Sequence, residues 1–234
     1  MNIYNKNEFM NVSDYTKIKT ISLYDSASYL LEYLDKITNL EFLSITKYDS
    51  SIPVINILNF ICDNVDQFSK LKKLVMKPKI EIIPPSISLL HLTYLELDSN
   101  KIKELPEEIF EMISLETLYV KNNMLTYISP SLRKLKNLQH LDLSENQIED
   151  IDFTLPLLRG LYLYDNKLTI LPEIEKPSNI EEVKNIEMVL CDNPYLYLTG
   201  AILYWDIGND YEDYINAKEL ELKNMGRNKK SARK

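Results

Sequence analysis

The chain has 234 residues, of which 45% are hydrophobic and 26% charged, so it can bury a core and is not expected to be disordered throughout. Its formal net charge of −8 argues against binding of nucleic acid or acidic membranes by the body of the protein. Only four glycines occur, which disfavours dinucleotide and P-loop folds, and the two cysteines have neither paired spacing nor a CxxC arrangement.

The first segment, residues 1–14, carries four apolar side chains and is predicted to form an N-terminal cap over the structure that follows: Ile3, Tyr4, Phe9 and Met10. It has no continuous apolar h-region, and the chain contains no apolar run long enough to cross a bilayer. We therefore expect neither a signal peptide nor a membrane span. The expected location is the cytoplasm, with nuclear entry as an alternative.

A repeat occupies most of the chain. Four segments align without gaps, LTYLELDSNKI, LETLYVKNNML, LQHLDLSENQI and LRGLYLYDNKL, and they begin at Leu92, Leu115, Leu138 and Leu158. Each has apolar residues at positions 1, 4, 6 and 11 and asparagine at position 9. Weaker copies begin at Ile18, Leu40, Leu71 and Asn185. The spacing thus indicates about eight repeats, four regular and four degenerate.

The pattern LxxLxLxxNxL resembles the leucine-rich-repeat family, and the resemblance covers roughly residues 15–200. It implies an α/β fold, a right-handed solenoid with a curved parallel sheet on the concave side and short helices, 3₁₀ turns and loops on the convex side. The return arm LPEEIFEMISLE is similar to the intracellular class with LPxxI arms. Secreted members generally carry cysteine clusters at both ends, and this sequence shows none.

The spacing also explains how such a fold is stabilised. Leucines at positions 4 and 6 point to one side of a strand, because side chains alternate along it. Burial of each is worth about 1.5–3 kcal/mol. The asparagine at position 9 lies where the strand ends, so its amide can pair with buried peptide groups. The predicted ladder comprises Asn100, Asn123, Asn146, Asn166 and Asn193.

Two return arms have apolar residues at helical spacing and are predicted to be convex helices, Ser26–Ile37 and Pro53–Phe68. After the last repeat, the apolar stretch up to Trp205 closes a repeat domain of residues 15–205. Residues 206–225 are then predicted to form an acidic helix.

Positions 3, 5 and 7 of each strand face the concave side, and in repeats four to seven they combine tyrosines with carboxylates. The candidate partner-binding residues are Tyr94, Glu96, Asp98, Tyr119, Lys121, His140, Asp142, Tyr162, Tyr164 and Asp165. Glu145 adds a further carboxylate at position 8. Tyrosine is enriched at interface hot spots, so this face predicts recognition of a basic or polar segment of a partner protein. The alternative is that strands favour tyrosine in any case.

Other concave residues are weaker candidates. Lys73 and Lys77 mark either a second, weakly basic sub-site or ordinary solubilising side chains. His140 beside Asp142 could imitate an oriented base, but no nucleophile with an oxyanion site accompanies the pair. A surface histidine is the better interpretation. The spacing also offers no metal-ligand cluster, so we predict a non-catalytic scaffold with neither cofactor nor small-molecule substrate.

The C-terminal tail, residues 226–234, is predicted to be disordered and is basic. From Lys223 to the end there are six bases and no acids, so the rest of the chain carries −8 − 6 = −14. The tail has three interpretations: a solvated end, a contact with the acidic body, or a nuclear-localisation or nucleic-acid segment. The last defines the alternative function, a nucleic-acid-associated or nuclear regulatory protein that acts through its tail.

Overall fold

The computed structural model describes residues 1–24, 27–46, 54–77, 79–151, 154–155, 158–169, 172–174, 187–189, 193 and 204–206. The basic tail and all but the first residue of the predicted acidic helix lie outside the described residues.

A mostly parallel sheet runs through this part of the chain. Its strands, in spatial order, are β1 (Asn2–Ile3), β2 (Thr20–Leu23), β3 (Phe42–Ile45), β4 (Lys73–Met76), β5 (Tyr94–Glu96), β6 (Thr117–Tyr119), β7 (His140–Asp142), β9 (Gly160–Tyr162), β11 (Glu187–Val189) and β12 (Tyr204–Asp206). A separate parallel pair, β8 (Thr154–Leu155) and β10 (Glu173–Ile174), joins the return arms of repeats six and seven. The sheet is open, as a solenoid requires.

The eight predicted repeats supply eight successive strands of this sheet, and they pair in the predicted phase. Position 3 of each repeat stands beside position 3 of the next, along the row Thr20, Phe42, Lys73, Tyr94, Thr117, His140, Gly160 and Glu187. A one-residue slip would exchange core and surface side chains, so the leucine pattern specifies this register. The predicted solenoid fold is confirmed.

Two strands at the ends of the sheet were not predicted. β1 pairs with β2 in parallel, and β12 pairs with β11 in the antiparallel direction. The short helix α1 (Lys6–Met10) follows β1 and buries Phe9 completely. The Phe9 ring lies 5.2–5.5 Å from the rings of Tyr15, Tyr29 and Tyr33, so aromatic packing covers this end of the core.

The core lies under the sheet along the whole described solenoid. The side chains at positions 4 and 6 of repeats four to seven are at most 1% exposed, and these are Leu95, Leu97, Leu118, Val120, Leu141, Leu143, Leu161 and Leu163. The alternating residues at positions 3, 5 and 7 are therefore held on the opposite, concave side.

Asparagine amides connect each repeat to the one before it. The Asn146 amide donates to the backbone carbonyls of Val120 and Leu143 at 3.0 and 2.9 Å, and its oxygen accepts the Leu125 N–H at 3.0 Å. The same arrangement, with distances of 2.8–3.1 Å, holds for Asn100, Asn123 and Asn166. Asn193 accepts from Leu168 and donates to Leu163.

The residue before each of the first four asparagines adopts a left-handed backbone conformation. The φ angles are 58°, 54°, 55° and 50° at Ser99, Asn122, Glu145 and Asp165. A positive φ is unfavourable for residues other than glycine, yet it turns the chain out of the strand at this point. The hydrogen bonds of the neighbouring asparagine hold the turn in place. The sequence carries no glycine at these positions that would have signalled it.

The return arms are helical to different extents. Repeat two is long, since it runs from Leu40 to the start of the next copy at Leu71, and its arm forms the predicted α-helix, α2 (Val54–Asp63), which ends five residues before the predicted end at Phe68. Repeat one is shorter, and its arm forms 3₁₀ turns at Ser28–Glu32 and Leu34–Lys36, so the predicted helix over 26–37 is wrong. A 3₁₀ helix rises about 2.0 Å per residue against about 1.5 Å, so it spans the repeat with fewer residues. Further 3₁₀ helices are Tyr15–Lys17, Pro85–Leu89, Glu107–Glu111 and Pro130–Lys134.

Replacing one amide of the ladder should destabilise the protein without changing side-chain volume much. We expect Asn146→Leu to lower the free energy of unfolding by about 2 kcal/mol or more, because it leaves the Leu125 N–H buried without its partner and removes one of the two amide donors from each of the Val120 and Leu143 carbonyls. Urea denaturation measures this. Asn56→Leu, on the exposed side of α2, is the matched control and should change stability little. Equal midpoints for the two variants would contradict the assigned role of the ladder.

Candidate functional site

The ten predicted partner-binding residues all lie on the concave side of repeats four to seven, on the strands β5, β6, β7 and β9 or directly after them. We call this surface the concave band. Nine of its side chains are half-buried, and Asp165 is exposed. The structure thus brings the predicted residues onto one surface, and their role in binding stays a prediction.

An aromatic pair lies at the N-terminal side of the band. The rings of Tyr94 and Tyr119 meet edge to face with centroids 5.7 Å apart. The Tyr94 hydroxyl donates to a Glu96 carboxylate oxygen at 2.6 Å. Burial, together with that carboxylate, raises the pKa of Tyr94 well above its usual range. Both the ring and the hydroxyl of Tyr94 are therefore held in one orientation.

Lysines pair with the carboxylates of the band. Lys77 contacts Glu96 and lies 3.5 Å from an Asp98 oxygen. Burial disfavours the charged ammonium, but the two carboxylates outweigh it and raise the pKa of Lys77. In the sequence Lys77 is only a weak candidate, whereas the structure places it next to Glu96 and Asp98. The signal that could have found it is its place in the row of position 7, beside Asp98.

A second cluster lies further along the sheet, in repeats five to seven. The Lys121 ammonium is 3.0 Å from a Glu145 oxygen and 5.0 Å from the centroid of the Tyr164 ring. The Tyr164 hydroxyl donates to the same Glu145 oxygen at 3.2 Å. Hydrogen bonds with Tyr164 and Glu145 raise the pKa of Lys121.

His140 and Asp142 lie next to each other along β7 and each contacts a neighbouring part of the sheet. A methyl group added at Gly160 would lie 2.8 Å from His140 Nδ1 and 3.0 Å from the Tyr162 ring, so these side chains crowd over the glycine. Asp142 accepts the backbone N–H of Ser144 at 2.9 Å. Within the described residues, no group of three or more histidine, cysteine or carboxylate side chains could hold a metal ion.

A groove extends beyond the band, toward the N-terminus. It has a volume of about 930 Å³ and is shared by repeats one to four, and its floor and walls include Tyr24, Phe42, Thr46, Lys73, Tyr94 and Glu96. Tyr24 is 65% exposed, more than any tyrosine of the band. These positions carried less weight in the sequence because repeats one to three lack the combination of several tyrosines with carboxylates found in repeats four to seven.

Comparison with known proteins agrees with the repeat pattern. A family model described as leucine-rich repeat matches residues 91–148 and, in a second overlapping match, residues 115–168. Rat lumican is 36% identical over 118 residues, which are 45% of this chain and 33% of lumican. Residues 91–168 of this chain therefore carry leucine-rich repeats of this family.

Further matches also cover only part of longer proteins. Adenylate cyclase of Schizosaccharomyces pombe is 26% identical over 168 residues, which are 66% of this chain but 9% of the cyclase. A solved leucine-rich-repeat protein of Leptospira interrogans superposes with a TM-score of 0.49 at 24% identity, covering 76% of this chain and 42% of that one. The chain spans about a third of lumican and a much smaller part of the cyclase.

Proteins of this family generally act as scaffolds for protein–protein interaction. The described residues of this leucine-rich-repeat protein also contain no membrane-spanning helix; the longest helix among them, α2, has ten residues.

Asp98 is the most perturbed carboxyl of the concave band. Burial raises its pKa to about 6, Lys77 opposes the rise, and the charges of Glu96 and Asp142 add to it. Lys77 lies closer to Glu96 than to Asp98, so it compensates the buried charge of Asp98 only in part. One Asp98 oxygen also accepts the backbone N–H of Lys121 at 2.9 Å.

The raised pKa makes the stability of the repeat domain depend on pH. Between about pH 4 and 6 the folded protein holds a proton at Asp98 that the unfolded chain has already released. The contribution of Asp98 to the free energy of unfolding therefore falls as pH rises across that window. We expect Asp98→Asn to lose less stability than the unmodified protein between about pH 4 and 7, as measured by urea midpoints. Asp66→Asn, at an exposed site, should follow the unmodified protein. Parallel pH profiles for all three proteins would contradict the prediction.

Proposed function

We propose that the protein is a non-catalytic scaffold that binds a basic or polar segment of a partner protein on the concave band. The observation that carries the proposal is the fixed aromatic and acidic arrangement of Tyr94, Tyr119 and Glu96. Side chains already held in place lose little conformational entropy when a partner binds. Tyrosines in such positions supply contact area and a hydroxyl together.

The charges of the band support a basic partner. Its described side chains, with Glu145 and Lys77, include five carboxylates, Glu96, Asp98, Asp142, Glu145 and Asp165, against two lysines, Lys77 and Lys121. Each lysine already lies against a carboxylate, and the remaining acids give the surface an excess of negative charge. Complementary charge steers association and selects among partners.

The chemistry of the band also favours binding over catalysis. His140 is packed beside Gly160 and Tyr162, and the neighbouring Asp142 is occupied by a backbone amide. A general base needs a reacting group within hydrogen-bond reach and a partner that orients it. We therefore propose that His140 and Asp142 contribute surface contacts.

The proposal is tested by removing two tyrosines from the band. We expect Tyr119→Ala/Tyr162→Ala to abolish capture of the partner from native-cell lysate, read by quantitative mass spectrometry, and to weaken the purified complex by at least about tenfold in Kd. The two rings are half-buried, so the Tm should fall by only about 2–8 °C.

The matched control is Tyr4→Ala/Tyr127→Ala, which removes two exposed tyrosines that lie outside the band. It should retain the partner. If both double variants lose the same proteins, or if neither does, the concave band is not the binding surface. Loss of a nuclease-sensitive species on truncation after Met225 would instead favour the nucleic-acid function of the tail.

A further inference from the structure

One row across the concave band consists of Lys121, Ser144 and Tyr164, from repeats five, six and seven. Their alignment follows from the register of β6, β7 and β9, in which Tyr119, Asp142 and Tyr162 stand side by side two residues earlier in each repeat. Ser144 therefore lies between the other two. Because Lys121 contacts the Tyr164 ring, its side chain crosses over Ser144.

Ser144 is unusual within this row. Its side chain is fully buried although it belongs to the concave side, and its hydroxyl has no hydrogen-bond partner among the residues that the structure describes. A buried hydroxyl without a partner is unfavourable, because it has lost water and gained nothing in return. Lys121 thus closes over a polar group that it does not satisfy.

The contacts of Lys121 are those that a bound cation would make. Its ammonium lies against a carboxylate and over an aromatic face, with Glu145 and Tyr164 supplying the two surfaces. The Tyr164 hydroxyl donates to Glu145 and so holds the carboxylate beside the ring. These two residues come from neighbouring repeats, which the sheet keeps at a fixed spacing.

We infer that Ser144, Glu145 and Tyr164 form a subsite for an arginine side chain of the partner protein, and that Lys121 occupies this subsite in the free protein. The inference rests on the proposed function, which places the partner on the concave band. It adds the side chain that is recognised and an internal competitor that must leave first.

Arginine fits the subsite better than lysine does. Its planar guanidinium can stack on the Tyr164 ring and direct two N–H groups at the Glu145 carboxylate. It has five N–H donors, so three remain, and one of these can donate to the Ser144 hydroxyl oxygen. An ammonium is a compact charge with three donors, and in the free protein Lys121 leaves the hydroxyl unpaired.

The displaced lysine also has a place to go. Lys121 is about one-third exposed, and it stands at the end of β6, where its long side chain can turn toward solvent. Exchange of one cation for another keeps the charge of Glu145 compensated throughout. The affinity for the partner therefore depends on how much more favourably its cation interacts with the subsite than Lys121 does. This favours a ligand with the geometry of arginine.

The test uses the full chain and short capped peptides that contain a single arginine, lysine or citrulline between glycine and serine residues. Binding is followed by NMR through the ring resonances of Tyr164. We expect Lys121→Met to tighten the arginine peptide by roughly fivefold or more in Kd, because the competing ammonium is gone while the aliphatic stem remains. The lysine peptide should gain less, and the neutral citrulline peptide should gain nothing.

Lys103→Met is the matched control, since it removes the same charge from an exposed position outside the sheet. It should leave the affinity within about twofold. Glu145→Gln added to Lys121→Met should cancel the gain. Equal effects of the two lysine variants, or a gain that survives Glu145→Gln, would overturn the subsite.

These outcomes are separate from those of the proposed function. If Tyr119→Ala/Tyr162→Ala loses the partner while Lys121→Met leaves the arginine peptide unchanged, the band binds a partner but the arginine subsite is wrong. If Lys121→Met tightens the peptide while the tyrosine variant keeps the partner, the subsite exists and the proposed function fails.

Discussion

The amide of one asparagine in each regular repeat forms hydrogen bonds that join this repeat to the one before it. Each repeat contributes a strand of only three or four residues, after which the chain leaves the sheet and its peptide groups lose their strand partners. A single amide, such as that of Asn146, satisfies groups from two consecutive repeats at once. The leucines beneath the sheet supply most of the apolar burial, but the hydrophobic effect has no preferred direction. The amide hydrogen bonds are directional, so they fix the position of each repeat relative to the next.

The fixed register has a direct consequence for the concave band. Because equivalent positions stand side by side, the side chains form rows that run across the strands, and neighbours in a row are far apart in sequence. Lys77 meets Glu96 and Asp98, and Lys121 reaches Glu145 and Tyr164, only because the rows are continuous. These ion pairs and the cation–π contact of the band thus join side chains of different repeats, and none of them lies within a single repeat.

The same distinction explains what could be predicted from the sequence. Strand positions and the asparagines follow from a pattern that recurs at nearly constant spacing in the regular copies, and this pattern specifies period, phase and facing side together. The conformation and pairing of elements that occur only once were harder to predict. The arm after Ser28 has helical spacing, yet the short repeat allows only 3₁₀ turns. At the ends of the sheet, β1 pairs with β2 and β12 pairs with β11. Each of these pairings depends on contacts that occur only once in the chain. The crossing of Lys121 over Ser144 depends on side-chain conformation, which periodicity does not encode.

Internal pairing also determines how the concave band can discriminate among partners. Unpaired charges on a half-buried surface would attract many oppositely charged segments through long-range forces, which salt screens within about 8–10 Å. Here Lys77 and Lys121 already neutralise Glu96 and Glu145, so at these two carboxylates a partner gains only by forming better contacts than those it replaces, while the remaining acids of the band attract it by charge. Its advantage then comes from the number and direction of its donors, which are short-range and specific. The excess of acids thus favours a basic partner, and the two paired carboxylates select for the geometry of its cationic side chains, since a simple ammonium already occupies each of them.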